Sequence, residues 1–510
     1  MNRTANAWRN VFWGMANRTL KLVVPFFLRT LIIYKIGIEY LGLDGLFVSV
    51  IQVLNIAELG VSSAITFSMY KPLAEKDTAT VCALLSFYRK IYHIIGIVIL
   101  FLGLSMLPFL DMLISGAIPK DINIHILYIL YLLNIVLGYF IYAYKNSLLI
   151  AAQRSDIISN IDSVLLFIKC IVQGIVIFQF NNYYLYVLVQ PVFTVLNNIS
   201  IYYISSKYYP MYVCEGEIDN SLYQDIKKRV AGLMIYRLCN VSRNGFDNIF
   251  LSAYLGLSTV AIYNNYYLIL TGVISVMGVV SQAVIASIGN SIATETVNKN
   301  YDDFEKFNFL YMFISGAITV ILLLVYQPFM VLWVGADYLL PFSVVIALSL
   351  YFYILKMGDV RGMYNDAAGL WWEQRYRTVL EVVVNIYLNY ILIFRYGVLG
   401  IVLASLISCF FIGFLGSSIV TFRSYFGYNK FYMYLKNQML YMLCTLMLAG
   451  LICFGVNNSD QLAPVYEIVK RVIVGIVLYV CSMYLLWHQT KVFKSMQAFL
   501  TNSLAIIKRL

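Results

Sequence analysis

The run FNFLYMFISGAITVILLLVYQPFMVLWV, from Phe307 to Val334, contains no acidic, basic or histidine residue. A helix needs roughly 20 predominantly apolar residues to cross a hydrocarbon core of about 30 Å. This run is long enough and predominantly apolar, so it predicts a transmembrane helix.

Similar runs recur along the whole chain. Of the 510 residues, 61% are hydrophobic and 12% are charged, against roughly 45–50% and 25% in a soluble domain. The fold class predicted is an all-α polytopic membrane protein with about 14 transmembrane helices. The predicted spans lie near residues 10–34, 43–69, 91–113, 125–147, 157–179, 184–206, 230–256, 259–289, 307–334, 341–360, 377–395, 398–421, 432–455 and 465–488.

The net charge of +11 comes from Lys and Arg that lie mainly in every second connection between the runs. Cytoplasmic loops retain Lys and Arg, so this alternation predicts a multi-pass protein of the bacterial cytoplasmic (inner) membrane with both termini cytoplasmic. Because the basic residues follow the loops, no nucleic acid is expected as a partner.

A short repeat indicates two related halves. Tyr40–Leu43 reads YLGL, Tyr254–Leu257 reads YLGL again, and at the same offset Arg29 matches Arg243. The repeat predicts two pseudo-symmetric six-helix lobes plus a C-terminal helix pair, a plan that many secondary transporters use. The boundaries expected are 1–206 for the N-lobe, 207–229 for a cytoplasmic connector, 230–421 for the C-lobe, and 422–510 for the helix pair and basic tail.

Ionisable residues inside the predicted spans carry the functional interpretation, because each costs at least ~2.5 kcal/mol in the bilayer. In the first span, Arg18, Lys21, Pro25 and Arg29 are spaced by three, four and four residues, which places them on one helix face. Pro25 removes a backbone hydrogen bond and is a candidate hinge. The alternative is that the side chains of Arg18 and Lys21 extend to the cytoplasmic surface.

The seventh span repeats this pattern. Its polar face carries Arg237, Asn240, Arg243, Asn244 and Asp247. An ion pair between Arg243 and Asp247 is an equally good interpretation. Arginine pairs well with phosphate because its planar group donates two hydrogen bonds and stays charged. The cations of the two spans therefore predict a cavity for an anionic cargo.

Other polar faces lie in the second, fifth and eleventh spans. The second contributes Asn55 and Glu58, and a carboxylate such as Glu58 or Asp247 is a candidate for coupling to H+ or Na+. Helix–helix hydrogen bonding explains some of these residues equally well. The remaining members are Asp162, Lys169 and Gln173 in the fifth span, and Glu381, Asn385 and Asn389 in the eleventh.

The sequence predicts no enzyme. The three histidines are far apart, so no metal site is expected. There is no GxxxxGK[ST] phosphate loop, and no cofactor is predicted. The loops are too short for a catalytic domain.

The segments Tyr40–Gly45, Ala57–Val61 and Tyr70–Asp77 (YKPLAEKD) resemble the N-terminal region of Wzx-type polysaccharide flippases. These belong to the multidrug/oligosaccharidyl-lipid/polysaccharide (MOP) exporter superfamily. The length, span number, repeated lobes and cationic first and seventh spans are similar over essentially the whole chain.

The resemblance implies a flippase that moves an undecaprenyl-diphosphate-linked oligosaccharide from the cytoplasmic to the periplasmic leaflet by alternating access. The product would serve capsule, O-antigen or exopolysaccharide biosynthesis. Its other implied partners are membrane lipids, a polysaccharide polymerase and a chain-length regulator. A lipid-linked peptidoglycan precursor flippase and a multidrug/cation antiporter of the same superfamily are the alternatives, although a cationic cavity disfavours the antiporter.

Overall fold

The computed structural model describes residues 3–58, 60–116, 118–456 and 464–498. Within these ranges, the side chains of several helical segments, chiefly 3–12 and 235–244, lie outside the description. The described chain is helical and contains no strand. This confirms the all-α fold class, and its physical cause is that a helix satisfies its own backbone hydrogen bonds where no water is available.

The chain divides into two compact units, Met1–Ala261 and Ile262–Leu510. The helices of the first unit are α1 (Arg3–Lys35), α2 (Glu39–Leu54), α3 (Val61–Glu75), α4 (Thr78–Ser105), α5 (Ile124–Phe140), α6 (Lys145–Ala151), α7 (Ser155–Ile175), α8 (Tyr183–Tyr208) and α9 (Asn220–Leu255), and α10 (Leu257–Thr294) begins there. Those of the second unit are α11 (Val297–Val334), α12 (Phe342–Met357), α13 (Asp359–Ala368), α14 (Arg375–Tyr396), α15 (Val398–Ser408), α16 (Ser417–Thr421), α17 (Phe431–Val456) and α18 (Pro464–Trp487).

Ten stretches of the described chain are helical, long and apolar enough to cross a membrane, or eleven if the bent pair α5 and α6 is one span. The other three predicted spans correspond to α1, to α2 with α3, and to α9. These three also form helices, but α1 and α9 carry several charged residues, and a break separates α2 from α3. The total of fourteen therefore stays a prediction, with eleven of its members supported by length and composition.

In the first unit, α1 packs on α7, α5 on α8, and α2 on α9. In the second unit, α11 packs on α12 and α18, and α14 packs on α15. The last two long helices join the core of this unit through a cluster of α11, α17 and α18 that includes Leu324, Ile452 and Tyr479. The lobe boundaries inferred from span counting stay a prediction.

The two copies of the YLGL repeat touch each other within the first unit. A Cβ added to Gly42 would lie 2.1 Å from the carbonyl oxygen of Leu257, so only glycine permits this approach. Further along the same contact, Asn248 Nδ2 donates to Ser49 Oγ at 2.9 Å. We call this contact of α2 with α9 and the start of α10 the repeat seam.

Candidate functional site

A polar cavity of about 190 Å³ lies inside the first unit, lined by residues of α1, α5, α7 and α8. Lys21 of α1 reaches it and donates from Nζ to Asp162 Oδ2 of α7 at 2.9 Å. Lys169, two turns further along α7, lines the same cavity. Two lysines and one carboxylate leave the cavity with a net positive charge. We call it the first-unit cavity.

Uncharged hydrogen-bonding groups complete the lining. Asn134 of α5 accepts a hydrogen bond from Thr194 Oγ1 of α8 at 2.7 Å, and both residues line the cavity with Gln190 and Asn197. Amide and hydroxyl groups both donate and accept hydrogen bonds. The lining can therefore bind phosphate oxygens at the lysines and neutral polar groups, such as sugar hydroxyls, at the amides.

Arg29 belongs to a separate cluster in the same unit. Its guanidinium on α1 lies within electrostatic range of Asp44 on α2. Tyr131 Oη donates to Asp44 Oδ1 at 2.6 Å and lies 3.2 Å from Tyr183 Oη. Tyr183 Oη in turn donates to the carbonyl of Tyr40 at 2.9 Å. The tyrosines hold Asp44 beside the arginine and join α2, α5 and α8.

The four residues predicted on one face of α1 thus have different surroundings. Arg18 is exposed and does not line the first-unit cavity. Lys21 lines it, and Arg29 lies by the Asp44 cluster. Helix α1 continues through Pro25, and the hinge there stays a prediction.

Glu58 is the centre of another tyrosine cluster. It ends the short 3₁₀ turn Asn55–Glu58 that separates α2 from α3. Tyr92 Oη donates to Glu58 Oε1 at 3.2 Å, and Tyr88 Oη donates to Tyr92 Oη at 2.5 Å. Tyr139 hydrogen-bonds Asn55. The break in the helix places this carboxylate at the end of a chain of hydroxyl groups, an arrangement that can pass a proton.

On α9, the predicted polar face is described in part. Asp247 is buried, and its neighbour Asn248 contacts α2 through the repeat seam. The side chains of Arg237, Asn240, Arg243 and Asn244 lie outside the described part of the structure. Their roles, and the alternative Arg243–Asp247 ion pair, stay predictions.

The second unit has its own buried polar cluster. Glu381 of α14 is 2% exposed and pairs with Arg377 one turn earlier. Asn385, one turn later, donates to Ser405 Oγ and Ser408 Oγ of α15 at 3.2 and 3.3 Å. This contact joins α14 to α15. It is the helix–helix hydrogen bonding that the sequence analysis gave as the other explanation for these residues.

Sequence reasoning missed several charged residues of the second unit. Lys356 Nζ donates to Asp359 Oδ2 at 2.7 Å. Arg361 donates from Nη1 to the carbonyl of Phe414 at 2.6 Å and to Ser418 Oγ at 2.8 Å. Phe414 lies in the π-helical turn Cys409–Gly416. Arg361 lies one residue beyond the predicted span 341–360, a position that is typical of a loop cation. The sequence signal for this site was Gly358, which lies between the end of α12 and the start of α13.

The described residues hold no group of three or more His, Cys, Asp or Glu side chains that could bind a metal ion. The polar lining of the first-unit cavity consists of two lysines, one carboxylate, one hydroxyl and several amides.

The sequence matches no family model and no curated protein. Solved structures do match. The chain is similar to the lipid II flippase MurJ in an inward closed conformation, with 15% identity, a TM-score of 0.65, and coverage of 94% of this chain and 99% of that one. It is also similar to an inward-facing multidrug resistance MATE family transporter of the MOP superfamily, with 16% identity, a TM-score of 0.61, and coverage of 79% and 94%.

A third match is a MOP superfamily transporter from Pyrococcus furiosus whose binding pocket is described as having reversed polarity. The identity is 14%, the TM-score is 0.54, and the match covers 82% of this chain and 96% of that one. At these identities the likeness establishes the fold. The chain has the fold of MOP superfamily transporters over most of its length.

Proposed function

We propose that this protein is a MOP superfamily flippase that moves an undecaprenyl-diphosphate-linked oligosaccharide from the cytoplasmic to the periplasmic leaflet. The observation that carries the proposal is the net positive first-unit cavity, in which Lys21 and Lys169 lie among amide groups. A diphosphate needs cationic donors, and a sugar needs groups that both donate and accept hydrogen bonds.

The cavity geometry supports a simple binding step. Lys21 is held by Asp162 in the structure, and its side chain is 54% exposed, so an arriving phosphate oxygen can replace the carboxylate. Lys169 supplies the second cation. The oligosaccharide would then contact Asn134 and Gln190, while the prenyl chain stays in the lipid.

The predicted cations Arg18, Arg29, Arg237 and Arg243 fit the same proposal as a path that attracts the diphosphate. Arg29 lies close to Asp44, which reduces the charge it offers to a cargo in this conformation. During alternating access, opening of the repeat seam would provide the conformational change that the transport cycle requires.

A lipid-linked peptidoglycan precursor flippase is the second candidate. It is favoured by the match to the lipid II flippase MurJ, which spans 94% of this chain. A multidrug/cation antiporter is disfavoured because an additional positive charge in the cavity opposes binding of a cationic drug.

The test is replacement of Lys169 by Gln, and separately of Arg29 and Arg243 by Gln, with surface polysaccharide measured at equal protein level. Lys169→Gln is expected to reduce export at least tenfold, because it removes one of the two cavity cations. Lys227→Gln, an exposed residue of α9, is the matched control. Unchanged export in the Lys169 variant would refute the proposal. Export restored by a lipid II flippase, or an effect on cell-wall synthesis alone, would favour the second candidate.

A further inference from the structure

A second cavity lies in the first unit between α7 and α8. Its volume is about 580 Å³, within the range of about 300–1,000 Å³ that small-molecule sites occupy. Its lining includes the residues just before α7 and those of the last two turns of α8. We call it the α7/α8 groove.

One end of the groove is polar and cationic. Arg154 donates from Nε and Nη2 to the two carboxylate oxygens of Asp156 at 2.9 and 3.2 Å, and its guanidinium lies 5.3 Å from the ring of Tyr208. Lys207, in the last turn of α8, is exposed and lines the groove. Two cations against one carboxylate leave this end with a net charge of +1. Asn160 and Ser200, one to two turns further from this end, add hydrogen-bonding groups.

The rest of the lining is largely apolar, and part of it is exposed. Val164 is 51% exposed and Tyr203 is 68% exposed, and both line the groove. Along α7 the exposed side chains continue with Phe167 and Ile171, so the groove joins an apolar helix face. In a membrane protein such a face contacts acyl chains. An exposed tyrosine at the edge of this face is typical of the headgroup layer.

We propose that the α7/α8 groove binds an anionic phospholipid of the cytoplasmic leaflet. Its phosphodiester would contact Lys207 and Arg154 at the helix ends, its ester carbonyls, which lie deeper than the phosphate, would accept hydrogen bonds from Asn160 and Ser200, and one acyl chain would run along Val164. Basic sites between transmembrane helices at the cytoplasmic side bind anionic headgroups in this way. The groove shares only Leu165 with the first-unit cavity, so this lipid would be a bound partner and not the transported cargo.

The experiment uses the full-length protein in nanodiscs, released into mass spectrometry so that retained lipids are counted. The discs contain phosphatidylcholine with either phosphatidylglycerol or additional phosphatidylcholine. Wild-type protein is expected to retain phosphatidylglycerol selectively. Lys207→Gln is expected to reduce that retention about fivefold, since a cation near the membrane surface contributes about that factor. Ser200→Phe, which fills the groove and leaves its charges in place, is expected to reduce it as well.

Lys227→Gln, which removes a basic residue that does not line the groove, should retain phosphatidylglycerol like the wild type. Equal retention of both lipids by the wild type would overturn the proposal. So would unchanged selectivity in the Ser200→Phe variant, which tests the groove independently if Lys207→Gln fails to fold. Displacement of the lipid by inorganic pyrophosphate would assign the groove to the cargo path instead, and this would also overturn the proposal.

Discussion

The close approach of Gly42 to Leu257 makes a substitution at this position a direct test of the repeat seam. In a Gly42→Ala variant, the new Cβ would lie 2.1 Å from the Leu257 carbonyl oxygen and 2.7 Å from Leu257 Cβ. Real Cβ atoms essentially never approach closer than 3.0 Å, so the backbones would have to separate by about 0.9 Å. The obstacle is backbone, which a rotamer change cannot relieve.

Overpacking of this kind costs typically about 1–3 kcal/mol, which corresponds to roughly a 5- to 150-fold change in a two-state equilibrium. The closed seam should lose population by that factor. The assay is maleimide labelling of Ser252→Cys in a variant lacking the native cysteines, because Ser252 is 0% exposed and lies on α9 one turn after Asn248, which contacts α2 in the seam. Gly42→Ala should raise the labelling rate by a factor in this range.

Gly278→Ala is the control, because a Cβ added at that helical glycine meets nothing within 4 Å. It should label like the parent protein and unfold at the same temperature or slightly higher, since alanine favours a helix by up to about 1 kcal/mol over glycine. If Gly42→Ala labels no faster than Gly278→Ala, the reasoning about the seam is wrong.

Three further predictions concern single side chains. Asp162→Asn should tighten binding of inorganic pyrophosphate by up to about fivefold, measured by calorimetry, because an exposed ion pair contributes ~0.2–1 kcal/mol and Lys21 would be released. Glu58→Gln should abolish the response of transport to an imposed proton gradient in proteoliposomes, because the amide cannot exchange a proton with Tyr92. Arg361→Met should lower the melting temperature in detergent, because it removes two charge-assisted hydrogen bonds worth about 1.5–3 kcal/mol each.

Each of these has an outcome that contradicts it. Weaker pyrophosphate binding in Asp162→Asn would mean that the carboxylate positions the cation instead of competing for it. A proton response equal to that of Glu217→Gln, which alters an exposed carboxylate paired with Lys90, would remove Glu58 from the coupling path. The control for Arg361→Met is Arg395→Met, which alters an exposed arginine. A melting temperature of Arg361→Met that is no lower than that of Arg395→Met would contradict the prediction.

The first-unit cavity shows where sequence reasoning reaches its limit. The helix face that carries Asp162 and Lys169 follows from spacing along α7, and the face that carries Lys21 follows from spacing along α1. Which face meets which depends on packing between helices about 140 residues apart. The Lys21–Asp162 pair and the Asp44 cluster with Tyr131 therefore could not be found from either segment alone.

The amino-acid sequence by itself determined the membrane environment, the helical fold class and the approximate spans, because burial in lipid imposes a local requirement on each run of about 20 residues. It also identified the YLGL repeat. Only the tertiary structure decided that the two copies touch at Gly42, that α2 ends at Leu54 before the 3₁₀ turn that carries Glu58, and that Arg361 binds the carbonyl of Phe414. Those features depend on side chains brought together from distant segments, and periodicity within one segment carries no information about its partner.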